Sequence, residues 1–97
     1  MIASFGDQPT EALYHGNKHK DLRRLPSEIV HRTLRKLDMI NAAHHVLDLR
    51  SPPGNRLEQL QGDLEGMFSI RVNDQWRIVF RWQAGNAYDV RLTDYHR

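Results

Sequence analysis

The chain has 97 residues, 39% hydrophobic and 27% charged, with a net charge of +2 and no cysteine. That length supports one core and a single domain over residues 1–97, and the absence of cysteine excludes disulfide staples, thiol catalysis and cysteine zinc sites. The mild positive charge excludes a histone-like polycation, so any contact with nucleic acid depends on local clusters of arginine and lysine.

The apolar runs are too short to span a membrane, and Met1 to Asp7 lack the basic and apolar regions of a signal peptide, so the expected location is the cytoplasm. Ile2 to Phe5 form a short predicted strand, and Pro9 to His15 a helical turn or two. His15 to Lys20 read as a polar, basic connector. The basic stretch Lys18, Lys20, Arg23 and Arg24 is either a solvated connector or an RNA contact.

From Pro26 the pattern changes. Val30, Leu34, Leu37, Ile40 and then Ala43 or Val46 recur at steps of three and four, with His31, Arg32, Arg35 and Lys36 opposite, which predicts an amphipathic helix to about His44. Neighbours on a helix point about 100° apart, so His44 and His45 do not chelate one ion together, and no metal site is expected. Asp48 to Asn55, containing Ser51-Pro52-Pro53-Gly54, marks a loop that is neither helix nor central strand. Arg56 to Leu60 begin a strand that turns at Gln61-Gly62-Asp63.

Two hairpins follow. A turn at Asn73-Asp74-Gln75 sets Val72 opposite Trp76, Arg71 opposite Arg77, Ile70 opposite Ile78 and Phe68 opposite Phe80, with every apolar residue on one face. A second turn at Ala84-Gly85-Asn86 sets Trp82 opposite Tyr88, Phe80 opposite Val90 and Ile78 opposite Leu92, with Asp94 beside Trp76 and Tyr95 beside Gln75. Arg81 then falls opposite Asp89, where an ordinary surface ion pair accounts for it.

The register also sets Arg71 against Arg77 on the face away from the core. Like charges directly across a sheet repel, so the pairing calls for an anion between them. Each guanidinium offers a fork that fits a phosphate, including the extra charge on a pentacovalent phosphorus. His96 exchanges a proton near neutral pH and lies beside a phenol and a carboxylate. By alternation Tyr95 shares the Arg71 and Arg77 face, suited to stacking on a base or bonding a phosphate, or simply to covering the sheet edge. Asp94 faces the core edge, where orienting or packing suits it better than taking a proton. Arg56, with Asn55 before it, either grips an RNA backbone or is a charge opening an exposed strand.

Leu49 to Glu58, Leu60 to Asp63, Ser69 to Ile78 and the closing Asp94-Tyr95-His96 together resemble the HigB toxins of bacterial type II toxin–antitoxin systems, members of the RelE superfamily. The likeness covers nearly the whole chain and is densest from Leu49 onward. It implies a RelE-like α+β fold, with an N-terminal strand and two helices packed on a mainly antiparallel sheet of about four to five strands. It further implies a nuclease that cuts messenger RNA in the ribosomal decoding site, without metal or cofactor, by attack of a ribose 2′-hydroxyl on the adjacent phosphate.

In that resemblance Arg77 takes the phosphate-stabilising position, with Arg71 beside it, and Asp94, Tyr95 and His96 match the terminal catalytic segment. Arg56, Asn73, Gln75, Glu58, Lys20 and Arg23 are the expected RNA contacts. Some HigB proteins carry a histidine and a lysine where this chain has Glu58 and Gln61, so Glu58 is either a replacement base or a structural acid. The implied partner is a HigA-like antitoxin with a helix-turn-helix domain, and operator DNA would be reached only through it. The rival reading is a non-catalytic ribosome- or RNA-binding module that acts as an antitoxin-bound regulator.

Overall fold

The first helix, α1 (Gln8–His15), starts where the Asp7 carboxylate accepts the Thr10 N–H at 2.9 Å and ends at Gly16, whose left-handed φ of 74° closes the last turn. This computed structural model describes residues 1–95, so the role expected of His96 lies outside the described residues. A 3₁₀ turn at Lys20–Arg24 leads to α2 (Ser27–Ala42). Its buried stripe is Ile29, Thr33, Leu37 and Ile40, while Val30 and Leu34, expected in the stripe, flank it half-buried. The helix stops at Ala42, short of His44, because the chain turns extended at Ala43 and the Asp48 carboxylate takes up the His44 and His45 N–H groups.

The expected loop contains two 3₁₀ turns, Val46–Arg50 and Pro53–Asn55. Asn55, read from the sequence as a possible RNA grip, is instead fully buried. Its side-chain N–H groups donate to the Leu49 and Ser51 carbonyls, and its Oδ1 accepts from Lys36 Nζ, which ties the loop to α2.

The sheet is an antiparallel meander of β1 (Glu58–Gln59), β2 (Met67–Arg71), β3 (Trp76–Gln83) and β4 (Asn86–Asp94). β1 is shorter than expected, and a 3₁₀ turn at Gly62–Leu64 replaces the tight turn read at residues 61–63. The first hairpin has the predicted register, including Arg71 opposite Arg77. The second keeps Ile78 opposite Leu92 and Trp76 opposite Asp94 but departs from the predicted register toward its turn, where Trp82 pairs with Ala87 and Arg81 with Tyr88. A bulge in β4 causes the shift. Between the Val79–Arg91 and Arg81–Tyr88 pairs, β4 has one residue more than β3, and Asp89 takes a left-handed φ of 54°. The Arg81–Asp89 ion pair survives at 3.6 Å, between exposed side chains.

Ile70, Val72, Ile78, Phe80, Ala87 and Val90 face α1 and α2 to form the main core with Leu13, Leu37 and Ile40. The apolar residues do not all share that face. Met67 and Val79 alternate to the opposite side and, with Leu60, make a second small cluster. The N-terminal segment runs parallel to β4 through isolated bridges at Ile2 and Phe5 rather than a continuous strand. The bulge interrupts it there, where Ser4 Oγ accepts the Asp89 N–H at 2.9 Å. At the same crossing a Cβ on Gly6 would sit 2.7 Å from the Asp89 carbonyl oxygen.

Gly6→Ala should therefore push the N-terminal segment off the bulge and cost about 1–3 kcal/mol, the usual penalty for overpacking. Urea unfolding tests this, and an unchanged midpoint would mean that the contact is not closely packed.

Candidate active site

On the sheet face away from the helices, a cleft of about 430 Å³ is lined by Arg56, Glu58, Arg71, Asn73, Arg77 and Tyr95, with Asp74 at its edge. Arg77 lies at its base and is only 6% exposed. Burying a guanidinium costs several kcal/mol unless its donors are matched, and here they are matched closely. Nε donates to Ser69 Oγ at 2.8 Å, and Nη2 donates to the Arg56 carbonyl at 2.6 Å and the Ser69 carbonyl at 3.2 Å. Nη1 stands 3.8 Å from the Glu58 carboxylate, and the Tyr95 ring centroid lies 5.6 Å from the guanidinium carbon.

These partners come from separate elements. Arg56 follows the Pro53–Asn55 turn in a left-handed conformation, φ 44°, Ser69 is central in β2, and Tyr95 follows β4. Tyr95 is held to the sheet by its N–H, which donates to the Gln75 carbonyl at 2.6 Å. That bond sets Tyr95 beside Gln75 and on the Arg77 face, as its alternation predicted.

Each of the two facing guanidiniums has a carboxylate close by. Arg71 bonds Asp74 in the hairpin turn, while Arg77 has Glu58 beside it. The Arg71 guanidinium holds the Asp74 carboxyl below its usual value of 3.8. Asn73 shapes the turn through its Oδ1, which accepts the Gln75 N–H at 2.9 Å and the Trp76 N–H at 2.7 Å.

Of the residues singled out from the sequence, the cleft gathers Arg56, Glu58, Arg71, Asn73, Arg77 and Tyr95. Four others lie elsewhere. Gln75 is exposed on the turn and donates from Nε2 to Asp94 Oδ2 at 3.2 Å, so neither lines the cleft. Lys20 and Arg23 stand exposed on the 3₁₀ turn beside α1. Sequence reasoning missed Ser69. Its signal was a lone small hydroxyl in Met67-Phe-Ser-Ile-Arg71, on the same strand face as Arg71.

The chain is thus a small α+β protein whose exposed sheet face carries a basic, carboxylate-edged cleft. Residues 3–96 match the family described as RelE-like toxin of type II toxin-antitoxin system HigB, and the chain belongs to that family. Toxin HigB-1 of Vibrio cholerae is 44% identical over 92 residues, covering 95% of each chain. Endoribonuclease HigB of Proteus vulgaris is 35% identical over 88 residues, covering 81% of this chain and 95% of that one. In fold the chain is similar to the YoeB-YefM complex from Staphylococcus aureus, with a TM-score of 0.63 at 16% identity over 100% of this chain and 99% of the other. The YoeB dimer from the same organism gives 0.60 at 20% identity, covering 99% and 98% of the two chains. No helix among the described residues is long and apolar enough to cross a membrane.

Two outcomes follow from the geometry. Ser69→Ala removes the Nε acceptor of a buried cation and should lower stability by about 1–3 kcal/mol, read from chemical unfolding; a neutral result would show that Arg77 re-pairs freely. Because the folded Asp74 carboxyl sits below 3.8, its contribution is present above that pH and is lost as pH falls through the folded value. Asp74→Asn should therefore lessen the acid-induced fall in melting temperature below about pH 4, whereas an acid limb of unchanged slope would contradict the pairing.

Proposed function

We infer that this toxin is an endoribonuclease that cuts messenger RNA on the ribosome and is neutralised by a HigA-like helix-turn-helix antitoxin. The observation that carries the reading is Arg77, a nearly buried guanidinium fixed at the base of an open cleft, with Arg56 and Arg71 around it and Tyr95 over it. A preorganised cation of this kind stabilises charge that develops on a phosphate without reorganising during the reaction. The name of the Proteus vulgaris relative, an endoribonuclease, supports the same chemistry.

In the proposed reaction a ribose 2′-hydroxyl loses its proton and bonds to the adjacent phosphorus. The bond from phosphorus to the 5′-oxygen then breaks and that oxygen takes a proton, leaving a 2′,3′-cyclic phosphate and a free 5′-hydroxyl. His96 transfers protons, Tyr95 and Asp94 support it, and Arg77 with Arg71 holds the phosphate. Glu58, at the cleft, is the replacement base or the acid that orients Arg77. The ribosome supplies substrate positioning, which suits a protein with an open cleft rather than a deep pocket. Side chains carry every proton transfer in this scheme, and no metal or cofactor enters it. The antitoxin, rather than this chain, would contact operator DNA, and both proteins would act in the cytoplasm.

One observation favours a second reading. Arg77 already bonds Ser69 and Arg56, as a structural cation would in a non-catalytic ribosome- or RNA-binding module acting as an antitoxin-bound regulator.

Purified protein added to programmed ribosomes should create discrete mRNA 5′ ends, undiminished by EDTA and absent from ribosome-free RNA. Arg77→Ala should slow cleavage about 10²–10³-fold and His96→Ala about 10²–10⁴-fold. Intact mRNA under conditions where translation nonetheless stops would move the assignment to the binding module.

A further inference from the structure

Beside the cleft, between α2 and the β2–β3 hairpin, lies a second depression of about 350 Å³. Arg32, Arg35, Lys36 and Arg71 surround it over Met39 and Val72, and among the described residues no carboxylate lines it. Arg32 is partnered by Glu28 at 3.0 Å on the helix, and Arg71 by Asp74 in the turn. Lys36 has a different support. Its Nζ donates to the neutral Oδ1 of Asn55, whose amide group is itself fully buried and bonded to the Leu49 and Ser51 carbonyls. The ammonium is thus held through a neutral acceptor, which does not cancel its charge. Burial, followed by the like charges of Arg35, Arg71 and Arg32, holds the Lys36 pKa below the usual lysine value, which marks the depression as electropositive.

Arg71 lines both this depression and the cleft, so the two form one basic track across the hairpin. A strand whose scissile phosphate rests over Arg77 would carry its neighbouring phosphates along that track. We propose that the Arg32, Arg35, Lys36 and Arg71 depression binds a backbone phosphate of the substrate RNA strand flanking the cut. The inference rests on the nuclease reading of the cleft and adds a positioning site to it. Four cations around one depression repel one another, and a phosphate there relieves that repulsion while accepting guanidinium and ammonium hydrogen bonds.

The test uses the full chain, an uncleavable 2′-O-methyl RNA oligonucleotide and the programmed-ribosome assay. Arg35→Gln with Lys36→Gln should weaken oligonucleotide binding about tenfold and reduce the slope of log K against log salt by about 0.7 for each phosphate no longer held. Cleavage at saturating substrate should persist with a raised KM. Because Lys36 also supports Asn55, Arg32→Gln with Arg35→Gln, which leaves that bond intact, should move the slope in the same direction. An unchanged salt slope in both variants with cleavage retained would remove the subsite and leave the nuclease reading standing. Weaker binding to vacant ribosomes but not to the oligonucleotide would assign the depression to ribosomal RNA, and a loss confined to antitoxin binding would assign it to a protein partner; either overturns the proposal. If the wild-type protein cleaves no RNA on programmed ribosomes, the nuclease reading fails and the subsite fails with it.

Discussion

The matched burial of the Arg77 guanidinium is the constraint around which the functional face is arranged. A cation only 6% exposed requires acceptors in fixed places, and these come from the Arg56 carbonyl and from both the side chain and carbonyl of Ser69. The loop leading into β1 and the centre of β2 are thereby joined to β3 through one side chain. Glu58 and Tyr95 adjoin it from β1 and from the end of β4. Each of these groups makes the position of the others less free, which is how a short two-residue strand such as β1 keeps a defined place at the sheet edge.

The opposite face obeys a different logic. There the helices bury Ile70, Ile78, Phe80 and Val90, and the polar contacts that matter are staples between elements. Thr10 Oγ1 accepts the Leu92 N–H at 2.9 Å, joining α1 to β4, and Ser4 Oγ accepts the Asp89 N–H at the bulge. The bulge and the N-terminal segment belong together, since the extra residue leaves a β4 N–H that the sheet does not pair and Ser4 takes it up. The division of labour follows from strand alternation: one parity of β2 and β3 builds the core, and the other supplies the cleft.

Charge placement separates the two basic features of the surface. The cleft contains carboxylates, Glu58 and Asp74, which offset Arg77 and Arg71 and leave those guanidiniums oriented. Along α2 the cations gather with a neutral amide as the support of Lys36. The first arrangement suits geometry and the second suits attraction, and Arg71 belongs to both. In the proposed nuclease they would act in sequence along one strand, the α2 side drawing the RNA backbone and the cleft holding the phosphate that reacts.

Local pattern was enough to determine the helix pair, the first hairpin and its Arg71–Arg77 pairing, because periodicity and a short turn leave few registers that bury the apolar residues. The same alternation placed Tyr95 on the Arg77 face. Only the tertiary structure decided the second hairpin's shift, since the bulge at Asp89 depends on a segment more than eighty positions away in the chain. It alone showed that Asn55 is a buried brace, that Ser69 anchors Arg77, and that Glu58 stands beside that guanidinium. These are interactions between residues whose separation in sequence has no period. No local pattern encodes them, whereas hydrophobic spacing and strand alternation repeat within a few residues and can be read directly.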